Sequence, residues 1–162
     1  MLGKERIKLV RFAKEKDLDI VNELRKQVND IHVEARPDHF KEGFGQELRD
    51  FAKAMIEGEN SDIIVVERDG SICGMACVEY IDRPETPYSK GRRFYHVQEI
   101  AVDKNHRRQG VAKELFEFMV EDSKKRNIPK IELDVWDFNS SAIEFYEAVG
   151  FKKTRIWMEY DV

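Results

Sequence analysis

The sequence predicts an α+β fold, a mixed and mostly antiparallel sheet flanked by helices, in one domain over residues 1–162. Three observations predict it. Two β-rich runs flank Asp69-Gly70, the residue pair favoured in a type I′ hairpin turn, so part of the sheet is antiparallel. Between residues 93 and 136 a strand, a helix and a second strand follow one another, which requires a parallel pairing with a right-handed crossover. The early part of the chain repeats apolar residues at helical spacing, and this supplies the flanking layer.

The first strand is read over 6–13, "RIKLVRFA". A helix follows to Ala35, with Leu18, Val21, Leu24, Val28 and Ile31 on one stripe and Asp17 or Asp19 near its start. Pro37 disfavours helix at Arg36 and interrupts it. A second helix, "GQELRDFAKAMIEG", stripes Leu48, Phe51, Ala52 and Met55 and stops at Gly58. The hairpin occupies 62–81, and the polar stretch 82–91 with two prolines is a loop. "RRFYHVQEIAV" is a long strand. The next helix, from about Gly110 to Arg126, carries Val111, Leu115, Phe118 and Met119, and Pro129 prevents its resumption. "KIELDVW" is a strand. "NSSAIEFYEAVG" is a short helix with a capping-box pattern from Ser141 to Glu144 and a stop at Gly150. "FKKTRIWMEY" is expected to close the sheet, in the order β-α-α-β-β-β-α-β-α-β.

Bulk properties restrict the function. Charged residues make up 37% and hydrophobic ones 41%, a globular balance. A net charge of −4 argues against nucleic acid as a partner, since phosphate contacts need a basic face. The apolar runs are far shorter than a membrane span, and the start "MLGKERIKLV" has no signal-peptide apolar core, so the cytoplasm is the expected compartment and no membrane is expected as a partner. Cys73 and Cys77 in "CGMAC" are expected on one face of a strand, reduced and structural. No metal constellation is present, so none is expected as a cofactor.

The informative stretch is "QEIAVDKNHRRQGVAKELFEFM". A helix start leaves backbone N–H groups unpaired at a locally positive end. Side-chain oxygens of Ser, Thr, Asp or Asn usually cap it, yet Arg107, Arg108, Gln109 and Gly110 stand there instead. Such a turn suits an anionic ligand: Gly110 lets the backbone come close, and the two arginines can bond phosphate oxygens. The spacing is neither that of the nucleoside-triphosphate loop nor that of the dinucleotide motif.

Arg107-Arg108-Gln109-Gly110-Val111-Ala112 matches the pattern [RQ]-x-x-G-x-[GA], and Asn139, Ala142, Tyr146, Gly150 and Phe151 match Asn-x-x-Ala-x-x-x-Tyr-x-x-x-Gly-Phe. Through these two blocks the chain resembles the GNAT (GCN5-related N-acetyltransferase) family. The resemblance implies a sheet splayed between two parallel strands and an acetyl-CoA-dependent transfer of an acetyl group to a primary amine. Backbone groups from Gln109 to Ala112 would hold the diphosphate, with Arg107 and Arg108 nearby. Ile100, Ala101 and Val102 would pair with the pantetheine arm like an added strand, and Asn139 would hydrogen-bond the arm or cap its own helix.

An amine attacks only when neutral, and at pH 7 about one lysine-like amine in two thousand is free base. A general base is therefore needed. Glu99, on the opposite face from Gln98 and Ile100 in a regular pleat, is the candidate; otherwise it is a sheet-surface glutamate in an ion pair. Tyr146 resembles the family's general acid for the departing thiolate; otherwise it is a core aromatic. The N–H of Ile100 would meet the developing oxyanion. His32, Glu34 and Arg36 border the expected acceptor pocket, whereas His106 reads as a solvated turn residue. The acceptor stays open between a protein amine and a small polyamine or aminoglycoside-like compound. A non-catalytic acetyl-CoA sensor is the rival from a different class. A homodimer is a candidate assembly, with the last strand free to exchange or pair between chains.

Overall fold

The computed structural model describes residues 8–162. The opening residues, including Arg6 and Ile7 of the expected first strand, lie outside that range. Strand β1 (Lys8–Phe12) pairs antiparallel with β2 (Ser61–Arg68), β2 with β3 (Ser71–Arg83), and β3 with β4 (Arg92–Val102). β4 then pairs parallel with β5 (Ile131–Leu133), giving the order β1-β2-β3-β4-β5. Helices α1 (Leu18–Ala35) and α2 (Gln46–Glu57) cover one face of the sheet, and α3 (Val111–Lys125) covers the other. A short helix, α4 (Ser140–Ala148), follows β5.

The run "IIVV" in β2 shows why this sheet is central to the fold. Ile63 and Val65 face Val21, Leu24, Ala52 and Met55 of α1 and α2, while Ile64 and Val66 face Val111, Leu115 and Met119 of α3. All four strand residues are fully buried. A strand covered on both sides can be apolar at every position, and each such side chain stabilises the fold by about 2 kcal/mol. The hairpin turn is as expected, with Asp69 and Gly70 both at positive φ (51° and 81°), the type I′ requirement. Buried Asp122 accepts hydrogen bonds from the Tyr95 hydroxyl (3.2 Å) and Arg126 Nε (2.8 Å), which ties the end of α3 to the sheet.

Two β-bulges overturn the regular alternation. Val66 pairs with Gly74 and Glu67 with Ile72, so Cys73 is an extra residue in β3. Cys73 therefore packs on the α3 side and Cys77 on the α1–α2 side, not on one face as the unbroken pleat predicts. Both are buried and unpaired. In β4, Cys77 pairs with Glu99 and Val78 with Val97, which makes Gln98 the extra residue.

Residues 151–162 form no strand, so the expected closing strand is absent. A strand pattern becomes a strand only when an edge accepts it, and β5, the outermost strand, is three residues long. Trp157 and Tyr160 consequently stand 84% and 89% exposed. The cap of α4 is Asn139, one of the two roles expected of it, and not the Ser141–Glu144 capping box: Asn139 Oδ1 accepts from the Ala142 N–H at 3.3 Å.

Candidate active site

The site begins where two parallel strands part. β4 and β5 pair at Tyr95–Ile131, His96–Glu132 and Val97–Leu133, after which β5 ends while β4 runs on to Val102. The N–H of Asp103 donates to the Cys73 carbonyl on the β3 side at 2.9 Å. Alternation along the strand then turns the N–H groups of Ile100 and Val102 to the other edge, which β5 has left. Ala101, between them, is buried beneath α1 and α2. The result is a short open edge with main-chain donors at Ile100 and Val102.

Directly beyond it the chain makes the Arg107–Ala112 turn. Gly110 is the N-cap of α3 at φ 82°, with no side-chain hydrogen bond capping the helix. The first N–H groups of α3 therefore keep their donor capacity at the positive end of its dipole. A Cβ built on Gly110 meets nothing within 4 Å, so the demand for glycine comes from its backbone angle and not from crowding by the protein itself. Arg107 and Arg108 are exposed, Arg108 at φ 61°, and Val111 is buried under the helix with Ala112 half-buried beside it.

The turn is braced by a residue that sequence reasoning missed. Arg68, at the end of β2, donates to the Gln109 carbonyl at 2.9 Å and to Glu114 Oε1 at 2.7 Å. Gln109 Nε2 donates in turn to the Asn105 carbonyl at 3.0 Å. Nothing in the sequence near Arg68 announces this, because its partners lie over 40 positions away. His106, as expected, is a turn residue, its Nδ1 3.1 Å from Asp103 Oδ1.

The bulge at Gln98 decides where Glu99 points. Tyr95 and Val97 face α3, and so do Ile100 and Val102 after the bulge. Glu99 is thereby turned to the α1 side, where Arg25 Nε donates to its Oε2 at 3.0 Å. Arg25 is 5% exposed; it also donates to Asn22 Oδ1 (3.2 Å) and the Leu48 carbonyl, and lies over the rings of Phe44 and Phe51. Burial raises the carboxyl pKa of Glu99, opposed by the positive charge of Arg25 and, more weakly, by His32. Glu99 does form an ion pair, but with a buried arginine and not at the sheet surface, its own side chain being 19% exposed. The signal for Arg25 was present: it is a cation four residues after Val21 and three before Val28, on the stripe that faces the core.

Tyr146 is a partly buried residue of α4, edge-on to Phe145 and Phe151 with 5.5 Å between centroids in each case. Phe151 continues the contact to Phe116 of α3. Burial pushes the phenol up to about 12. Asn139 is committed to its capping role through Oδ1, which leaves its amide N–H groups as donors.

The α1–α2 connection builds an aromatic wall. His32 Nδ1 lies 2.8 Å from the Val28 carbonyl, and the His32 ring packs against Phe40 and Phe138. His39 and Phe40 meet Trp136, and the Arg36 guanidinium lies 5.2 Å from the Trp136 centroid. Arg36 also pairs with Asp38 (2.8 Å) and Glu159 (3.1 Å). Of the three expected acceptor-side residues, His32 packs into the wall against Phe40 and Phe138, Arg36 holds the wall through Trp136, and Glu34 is exposed on the last turn of α1.

The family model described as the acetyltransferase (GNAT) family matches residues 25–151. The chain belongs to the GNAT family. The BH1408 protein of Bacillus halodurans, solved as a tetramutant, is a similar structure with a TM-score of 0.91 and 28% identity, covering 95% of this GNAT chain and 99% of that one. Human N-acetyltransferase 8 (Homo sapiens) is 30% identical over 108 residues, 67% of this chain and 46% of that protein. The [ribosomal protein bS18]-alanine N-acetyltransferase of Escherichia coli (strain K12) is 36% identical over 61 residues, 38% of this chain and 41% of that protein. This GNAT chain therefore spans less than half the length of these two curated relatives. An aminoglycoside N-acetyltransferase in complex with CoA, at 16% identity and a TM-score of 0.78, shares the fold.

Proposed function

We propose that this protein transfers an acetyl group from acetyl-CoA to a primary amine by direct attack within a ternary complex. The observation that carries the proposal is the open edge of β4, where the Ile100 and Val102 N–H groups adjoin the uncapped start of α3 and Glu99 stands beside them. These parts fit the cosubstrate. Main-chain N–H groups from Gln109 to Ala112 would hold the diphosphate with Arg107 and Arg108 around it, and the β4 edge from Ile100 to Val102 would pair with the pantetheine amides, assisted by the Asn139 amide. When bound, acetyl-CoA supplies the acetyl thioester.

The side chains divide the proton traffic. Glu99 accepts the proton of the incoming ammonium or amine, directly or through water; its pKa, raised by burial, lies nearer the operating pH than that of an exposed glutamate. Arg25 keeps that carboxylate oriented. The Ile100 N–H is placed to receive charge on the carbonyl oxygen. Tyr146 donates its proton to the departing thiolate. A phenol near 12 is a weak acid, but the burial that raises it also raises a thiolate lying beside it, which offsets the mismatch. The wall of His32, Phe40, Trp136 and Arg36 stands on the acceptor side.

A panel of amines (polyamines, aminoglycoside-like compounds and peptides with free α- or ε-amines) assayed with acetyl-CoA by free-thiol release tests the reading. Acceptor-dependent thiol release that falls in Tyr146→Phe is expected. Calorimetric acetyl-CoA binding without thiol release from any amine would instead indicate a non-catalytic sensor.

A further inference from the structure

Arg68 stands at the end of β2 with its side chain 11% exposed, and its contacts are not those of an ion pair built for strength. Its Nη2 donates both to the Gln109 carbonyl (2.9 Å) and to Glu114 Oε1 (2.7 Å), and Lys8 Nζ lies 3.6 Å from that same carboxylate oxygen. Meanwhile Arg68 Nε and Glu114 Oε2 are buried and meet no partner among the described residues. A guanidinium and a carboxylate set for pairing alone engage side by side through two parallel bonds, which would use both of those atoms. Here the second bond is forgone, at a cost to stability, and the nitrogen that makes the first also holds a main-chain oxygen.

Holding that oxygen controls one peptide plane. A trans peptide points its carbonyl and its N–H in opposite directions, so fixing the Gln109 carbonyl toward β2 turns the Gly110 N–H away from β2. The plane would otherwise reverse easily. Arg108 and Gly110 flank Gln109 at φ 61° and 82°, and glycine takes either sign of φ with little preference. The space around Gly110 is open, since a Cβ built there meets nothing within 4 Å. Arg68 Nη1 lies 3.5 Å from Gln109 Oε1, and Gln109 Nε2 donates to the Asn105 carbonyl, so the side chain of Gln109 is anchored as well. Turns of this kind aim successive N–H groups into one concavity that receives an anion; the reversed plane would place an oxygen there instead.

We propose that Arg68 is a positioning residue for the cosubstrate: it holds the Gln109–Gly110 peptide in the orientation that offers the Gly110 N–H to the diphosphate. This role rests on the Arg107–Ala112 turn being the acetyl-CoA site, and it adds to that site a residue that touches neither cosubstrate nor acceptor. Arg68 acts through the peptide and not through its charge, which Glu114 already engages.

Calorimetric titration with CoA, paired with urea unfolding, tests this on the unmodified protein, Arg68→Met, Arg68→Lys and Glu114→Gln. Without the brace the reversed peptide competes, and affinity falls in proportion to the fraction of chains left in the receiving orientation. Losing one charge-assisted hydrogen bond should lower the affinity of Arg68→Met roughly tenfold. That loss should persist at high salt, where an effect of charge at a distance is screened. Arg68→Lys keeps the charge but not the planar fork and should lose at least about threefold. Glu114→Gln leaves Arg68 on the carbonyl, so it should change stability while holding CoA affinity within about twofold. Unchanged affinity in Arg68→Met, a loss that disappears at high salt, or an equal loss in Glu114→Gln would overturn the positioning role and leave the cosubstrate site standing. Absence of CoA binding by the unmodified protein would overturn the site and this role with it. If Arg68→Met loses the fold by circular dichroism, Arg68→Lys decides, and full affinity there refutes the role.

Discussion

Replacing Arg25 with methionine takes the guanidinium from Glu99 and leaves a carboxylate in a place built for a pair. Arg25 and Glu99 side chains are 6% and 19% exposed, so solvent compensates little. Stranding one partner of a buried pair costs about 3–5 kcal/mol. The Leu48 carbonyl loses its donor, about 1 kcal/mol, and the contacts with Phe44 and Phe51 lose their cationic part, about 1 kcal/mol more. A total of about 5–7 kcal/mol is expected at neutral pH. Adding Glu99→Gln removes the stranded charge and should recover about 3–5 kcal/mol, leaving the Leu48 and aromatic terms. The sign with pH follows from the raised pKa of folded Glu99: the folded state holds its proton more tightly than the unfolded chain, so this contribution is present in acid and lost as pH rises through the folded value. Without Arg25 the raising is greater, and the deficit of Arg25→Met should be widest near neutrality and narrow on acidification. Urea unfolding of the four chains of the cycle, from mildly acidic to neutral pH, measures this. A deficit independent of pH, or a double variant no more stable than Arg25→Met, would refute the pairing argument.

Tyr146→Phe should lower kcat at least tenfold while calorimetric acetyl-CoA affinity stays unchanged; full turnover with a proven acceptor would remove the tyrosine from the mechanism. Glu99→Gln should cost most near neutral pH and little in acid, where the native carboxyl is itself protonated, so a loss uniform across the pH–rate profile would mean a structural role. Arg108→Ala should weaken acetyl-CoA binding about tenfold, less so at high salt, with kcat at saturation preserved. Cys73 and Cys77 are buried, and burial pushes both thiols up, so neither should react with a thiol reagent until the chain is denatured. Rapid labelling of the folded protein would contradict the packing.

The sequence by itself determined what local chemistry can encode. Helical spacing from Leu18 to Ile31 and from Val111 to Met119, the Asp69-Gly70 turn and the continuous apolar run of β2 each fix an element through rules acting within a few residues. The Arg107–Ala112 turn is equally local, because a helix start without a side-chain cap is visible in "RRQGVA", although the positive φ of Gly110 is seen only in the structure. Only the tertiary structure decided the rest, and for one reason: alternation says that side chains take opposite faces but not where one residue too many reverses them. The bulge at Cys73 separates the two cysteines, and the bulge at Gln98 turns Glu99 toward Arg25, 74 positions earlier. Arg68 likewise reaches its turn only after β2 and α3 are packed together. For residues 152–162 the pattern specifies a strand, but a ladder needs a second edge, and that edge lies beyond the reach of a local rule.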